Sequence, residues 1–222
     1  MKLEVKNMLE GRDPAHDYAH IMRVYKAAEQ IGREEGADME ILLAAALLHD
    51  IIVYPKGGKK RSRSADESAG LAEKMLAARG WPGDRIDKVS YCIRTHSYSK
   101  NIDPETLEAK ILQDADRLDA LGAIGIARTF SVGGSEMRRF YNQDDNYDDP
   151  FCKKGRRPDD TRWTVDHFKA KLLKLEDTMH TTTAKRVARE RTRFMEAFLA
   201  QMEKEVAGRD YGYRNSSSIG NS

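Results

Sequence analysis

The chain has 222 residues, 38 basic against 36 acidic, and its formal charge of +2 excludes strong electrostatic steering toward nucleic acid or an anionic membrane. Its two cysteines, Cys92 and Cys152, form no CxxC pair and exclude a disulfide framework, which predicts a reducing, cytoplasmic setting. The opening MKLEVKNMLEGRD is too charged for a secretion signal, and the most apolar run, from Ile41 to Leu48, falls far short of the ~20 residues that a membrane span requires.

Helical periodicity runs through most of the chain, and good strand alternation is absent. From Tyr18 to Glu35, Ile21, Val24, Ala28 and Ile31 form one apolar face, and Gly36 suits the C-terminal stop. Asp38 is placed to cap a second helix reaching Ile52, which Pro55 keeps from running much further. YPKGGKKRSRS then reads as a basic loop with glycines. Ser64 and Glu67 have capping-box spacing for a helix to Arg79 that Gly80 closes. Beyond Trp81-Pro82, a helix through Ile86, Val89 and Ile93 carries His96 near its end.

Asp103-Pro104 predicts the start of a helix to about Ala120, with further helix to Phe130; Gly122 and Gly125 allow close backbone approach there or mark a bend. From Ser131 to Trp163 the pattern weakens, and NQDDNYDDPFCKKGRRPDDTRW predicts a long polar connection, either a functional cover or a disordered segment. Two amphipathic helices follow, one using Phe168, Leu172, Leu175 and Met179, the other Val187, Phe194, Phe198 and Met202. YGYRNSSSIGNS predicts a frayed tail. The expectation is an all-α fold: one helical domain over residues 1–206, with a core at about 16–130, a helical extension at about 131–206, and a flexible tail at 207–222.

Within LLAAALLHDII, residues 42–52, a histidine and an aspartate stand side by side in the most apolar run. Burying an ionised carboxylate costs several kcal/mol unless something compensates it, with the effective penalty on the order of that size in real proteins. Two further stretches suggest what compensates. In HDYAHIMRV, residues 16–24, His16 and His20 are one turn apart on a helical face. In ILQDADRLDALGAIGIAR, residues 111–128, Asp116 and Asp119 are one turn apart on an otherwise apolar helix. A single divalent ion explains all three stretches, since two imidazoles and two carboxylates from three helices form a mixed nitrogen–oxygen shell. Adjacent helical residues point about 100° apart, so His49 and Asp50 reach a common ion only beside an interhelical cleft. Each residue alone has a plainer explanation: a core histidine satisfied by a hydrogen bond, or a helix cap at His16-Asp17. The order H, HD, D on successive apolar helices outweighs those explanations taken together.

HDYAHIMRV, ALLHD and DADRLDALGAIGIAR resemble the HD-domain metal-dependent phosphohydrolase superfamily, whose pattern is a histidine, a His-Asp doublet and a later aspartate. RSRSADESA, RTHSYS and FKAKLLKLEDTMHTTTAKRVARERTRFM extend the likeness to a bacterial YedJ-like subgroup of compact members, over most of residues 11–206. The resemblance implies an all-helical HD-domain bundle with a metal between helices, and by position the ligands His20, His49, Asp50 and Asp116. The ion is one of Mg, Mn, Co, Ni, Zn or Fe.

Among the neighbours, Asp114, Asp17 and His96 are candidates for orienting or deprotonating water, and His16 and Asp119 for supporting a ligand. Asp114 is a candidate for holding a ligand histidine in its tautomer, whereas Arg117 and Asp119 also read as a surface pair. Glu67 is sufficiently explained by its capping-box spacing. Lys59, Lys60, Arg61 and Arg63 precede a helix start just after the doublet, which suits a phosphate clamp; a solvated basic loop is the alternative. Arg23 and Arg128 are candidates for the same phosphate, Arg128 alternatively for tying down a carboxylate. The expected activity is hydrolysis of a phosphate ester or nucleotide. The rivals are a di-iron oxygenase, disfavoured because only His96 lies between Asp50 and Asp116, and a non-catalytic module binding a nucleotide or nucleic acid. The expected partner is thus a phosphorylated small molecule or nucleotide, with nucleic acid secondary and no membrane.

Overall fold

The computed structural model describes residues 1–11, 17–54, 61–97, 100, 102–144 and 149–210, of Arg61 the backbone only. Among these the fold is all helical: α1 Lys2–Met8, α2 Tyr18–Glu35, α3 Met39–Leu48, α4 Ser64–Ala77, α5 Gly83–Thr95, α6 Leu107–Leu118, α7 Gly122–Ser135, α8 Asp166–Ala170 and α9 Thr182–Val206. The described residues hold no strand, only an isolated bridge between Arg139 and Trp163. None of their helices is long and apolar enough to cross a membrane.

Helix α3 sits at the centre. Ile41, Leu42 and Ala44 to Leu48 are all buried, as expected of a helix that is apolar on every side. Helices α2, α5 and α6 pack around it. Fully burying one such leucine or isoleucine contributes about 1.5–3 kcal/mol. Helix α2 turns the predicted stripe inward, Ile21, Val24, Ala28 and Ile31, and stops at Gly36, whose φ of +79° is left-handed. Helix α9 closes the other side against α6 and α7.

Several boundaries depart from the sequence expectation. Helix α3 ends at Leu48 rather than Ile52, because Ser68 on α4 bonds both the N–H of Ile52 (3.0 Å) and its carbonyl (3.2 Å), drawing the chain aside. The Ser64–Glu67 capping box does not form: Ser64 Oγ accepts from Tyr54 N, and Glu67 accepts from the Tyr54 hydroxyl at 2.6 Å. Helix α6 starts at Leu107, capped by Thr106 through the N–H of Ala109, rather than at Pro104. A break at Asp119 to Leu121 separates α6 from α7; there a Cβ on Gly125 would stand 2.2 Å from the Ala120 carbonyl oxygen. The helix predicted through Phe168 and Met179 is instead short α8 followed by 3₁₀ turns at Leu172–Lys174 and Glu176–Thr178. Its four apolar residues are nevertheless all buried.

Candidate metal centre

Three buried histidines converge, each brought in by a helix end. His20 lies in the first turn of α2, where Asp17 accepts from its backbone N–H at 2.9 Å. His49 and His96 are the C-cap residues of α3 and α5. His49 keeps helical backbone angles (φ −63°, ψ −36°) as the cap of α3, and the doublet lies in the turn that ends the helix. Asp116 comes from the last turn of α6.

Donor atoms of His20, His49 and Asp50 lie within 4.8 Å of one another. His20 Nε2 is 4.0 Å from Asp50 Oδ2 and 3.5 Å from Asp116 Oδ1, and His49 Nε2 is 4.0 Å from the same Asp116 oxygen. Two ligand atoms each about 2.1 Å from one ion lie roughly 3.0–4.2 Å apart for angles between a right angle and a straight line. The three contacts at 3.5–4.0 Å fall in that range.

The chemistry of the set fits a cation. His49 Nδ1 lies 2.9 Å from the Ala46 carbonyl and His20 Nδ1 lies 2.7 Å from Asp119 Oδ2. Carbonyls and carboxylates only accept, so both Nδ1 atoms donate, and in the neutral form of each ring Nε2 presents a lone pair. Those two lone pairs face the oxygens of Asp50 and Asp116, so the atoms that His20, His49, Asp50 and Asp116 turn toward one another are acceptors. His49 is 0% exposed, and its Nε2 has no hydrogen-bond partner. Burial pushes its pKa down to about 4, against the pull of Asp50, so the ring is neutral near pH 7. Asp50, 15% exposed, stays ionised: burial pushes its pKa up, but a hydrogen bond from His96 and the surrounding imidazoles hold it well below the usual carboxylate range.

His96 joins from the far side. Its Nδ1 is 2.7 Å from the Ile93 carbonyl, and its Nε2 is 3.4 Å from Asp50 Oδ1. Burial lowers its pKa, but the hydrogen bond and charge of Asp50 outweigh that and raise it.

Asp119, which the sequence also allowed as a surface group, is 5% exposed and central to the support of the site. Besides His20 it receives Arg23 Nε at 2.6 Å, Arg23 Nη2 at 3.1 Å and Arg128 Nη1 at 2.5 Å. Burial opposes its charge, but the hydrogen bonds of His20 and Arg23 and the charge of Arg128 hold its pKa well below the usual range. Arg23 and Arg128 are therefore committed to a carboxylate. The available signal was the one-turn spacing of Asp116 and Asp119 on an apolar helix.

Other sequence candidates lie elsewhere. Asp114 is two residues from Asp116, about 200° around the helix, and its carboxylate accepts from His180 N, Thr181 N and Thr181 Oγ1 at the start of α9. Asp17 caps α2. Arg63 pairs with Glu67 at 3.6 Å. Arg117 donates to the Thr178 carbonyl at 2.5 Å, away from Asp119. His16, Lys59, Lys60 and the Arg61 side chain lie outside the described residues.

Residues 17–121, which include every member of this centre, match the family model of the HD domain. The uncharacterized protein YpgQ of Bacillus subtilis is 34% identical over 210 residues, 93% of this chain and 92% of that protein. The crystal structure of Bacillus subtilis YpgQ in complex with ADP is similar with a TM-score of 0.70 at 35% identity, covering 94% of each chain. An HD-superfamily hydrolase from Bacillus thuringiensis gives 0.72 at 34% identity, covering 93% of this chain and 94% of that one.

Proposed function

The chain belongs to the HD-domain superfamily, and from that premise we propose that it is a metal-dependent phosphohydrolase cleaving a phosphate ester or nucleotide with water. The observation that carries the reading is the convergence of acceptor atoms from His20, His49, Asp50 and Asp116, with the buried His49 Nε2 lacking a hydrogen-bond partner. His20, His49, Asp50 and Asp116 would hold one divalent ion. Such an ion, when bound, polarises a phosphoryl oxygen and lowers the pKa of a coordinated water.

The chain's own residues supply the rest. Asp17 and Asp114 are taken up by backbone N–H groups, so proton handling falls to His96, whose Nε2 faces the centre while Nδ1 is anchored. Lys59, Lys60, Arg61 and Arg63 follow the doublet and precede the N-terminus of α4, where added positive charge favours phosphate. Arg23 and Arg128 bring positive charge to the same region through Asp119. The complex of YpgQ with ADP favours a nucleotide among phosphate esters. The stretches RSRSADESA and RTHSYS support placement in the YedJ-like subgroup, and two free cysteines support a cytoplasmic setting.

One observation favours a second reading, a two-iron oxygenase: the two oxygens of Asp50 face different histidines, Oδ2 toward His20 and Oδ1 toward His96. Two irons per chain by elemental analysis would select it. The main reading is tested by a screen over nucleotides and sugar phosphates with different added divalent metals. Turnover that requires the metal is expected; turnover surviving exhaustive chelation overturns it, and binding without turnover points to a non-catalytic module.

A further inference from the structure

We propose that Asp119 is the positioning residue of the centre, fixing the His20 ring so that Nε2 is offered to the metal, with Arg23 and Arg128 holding Asp119 in place. This rests on the metal-centre reading above. A neutral imidazole carries its proton on either nitrogen, and only the bare nitrogen can bind a metal. At His20 the carboxylates compete for that proton. Asp116 and Asp50 face Nε2 at 3.5 and 4.0 Å, whereas Asp119 faces Nδ1 at 2.7 Å. Only the last is a hydrogen-bond distance of the short, charge-assisted kind, so Asp119 wins the proton and Nε2 is left bare.

The surroundings are built to keep that carboxylate there. Asp119 is the C-cap of α6, and the chain turns sharply after it to enter α7. Gly125 admits the Ala120 carbonyl, and Arg191 Nη1 donates to the Leu118 carbonyl at 2.6 Å. Arg23 reaches across from α2 and Arg128 from α7, the latter also 3.3 Å from the backbone carbonyl of Asp119. Both guanidiniums thus brace a group that itself touches a ligand.

An asparagine at this position would bring an NH₂ group among three donor residues, Arg23, Arg128 and His20. With its oxygen turned to the arginines, its NH₂ would face Nδ1 and favour the tautomer with the proton on Nε2. The test uses Asp119→Asn and Asp119→Ala in the full chain. Mn(II) affinity is measured by calorimetry after metal stripping, and the His20 tautomer by ¹⁵N NMR before any metal is added. The expected result is Mn(II) binding weaker by about 10–100-fold, with the His20 proton on Nδ1 in the wild type and on Nε2 in Asp119→Asn. A helix destabilised without a role at the ligand would lower the melting temperature and leave both readouts unchanged, which overturns the proposal. Should neither variant fold, the wild-type tautomer decides: a proton on Nε2 overturns it. Wild-type protein that binds no Mn(II) would instead remove the metal-centre reading, an outcome distinct from failure of the Asp119 assignment.

Discussion

His49 and His96 end different helices in the same manner. Each ring folds back so that Nδ1 donates to the carbonyl three residues earlier, Ala46 at 2.9 Å and Ile93 at 2.7 Å, and the rings meet edge to face with centroids 5.0 Å apart. One bond thereby satisfies a last-turn carbonyl that the helix cannot and sets the ring so that Nε2 faces Asp50 or Asp116.

His49→Ala combined with Asp50→Ala should therefore abolish metal-dependent turnover. The lost bond to Ala46 costs stability of about 1–3 kcal/mol, because the rest of α3 stays packed. Far-ultraviolet circular dichroism should still report a helical protein, while the phosphatase assay reads background.

Asp114→Ala should do the opposite. Its carboxylate, 0% exposed, accepts from His180 N, Thr181 N and Thr181 Oγ1 at 2.8–2.9 Å. Removing it leaves the N–H groups of His180 and Thr181 without that acceptor, at a cost of about 2–4 kcal/mol. Urea denaturation should show that loss, with Mn(II) affinity unchanged; weakened metal binding at unchanged stability would return Asp114 to the centre.

The contrast between these aspartates shows how far the sequence could be read. Helix α2 was legible to its ends because its apolar face and Gly36 agree. The metal ligands were legible as a pattern, since charged groups inside apolar helices need a reason. What Asp114 and Asp119 each touch was not, because their partners, Thr181 and Arg23, lie 67 and 96 residues away. The end of α3 was hidden for the same reason, being set by Ser68 on α4. Around Leu172 and Leu175 the burial was readable and the element was not, because a three-residue spacing serves a 3₁₀ turn as well as a helix.

Gly125→Ala should destabilise the α6–α7 turn by about 1–3 kcal/mol, since its Cβ would collide with the Ala120 carbonyl. Gly134→Ala in α7 meets nothing within 4 Å and should be neutral or stabilising by up to about 1 kcal/mol. The urea midpoint should fall for Gly125→Ala and hold or rise for Gly134→Ala.

Both thiols should be quiet in the native state. Burial pushes Cys92 up to about 12, and burial with the nearby Asp166 carboxylate pushes Cys152 up to about 11. At pH 8 the thiolate fraction of Cys92 falls on the order of a thousandfold below that of an ordinary cysteine. Each group sheds its proton only above its raised pKa, so iodoacetamide labelling should stay slow through pH 9 and accelerate sharply in denaturant. Fast labelling of Cys92 in native buffer would contradict its placement.

The most direct test is metal content after equilibrium dialysis against Mn(II), for the wild type and for His49→Ala with Asp50→Ala. One ion per wild-type chain and none in the double variant is the predicted result. No ion in the wild type, or equal loading of both proteins, would contradict a centre built on these side chains.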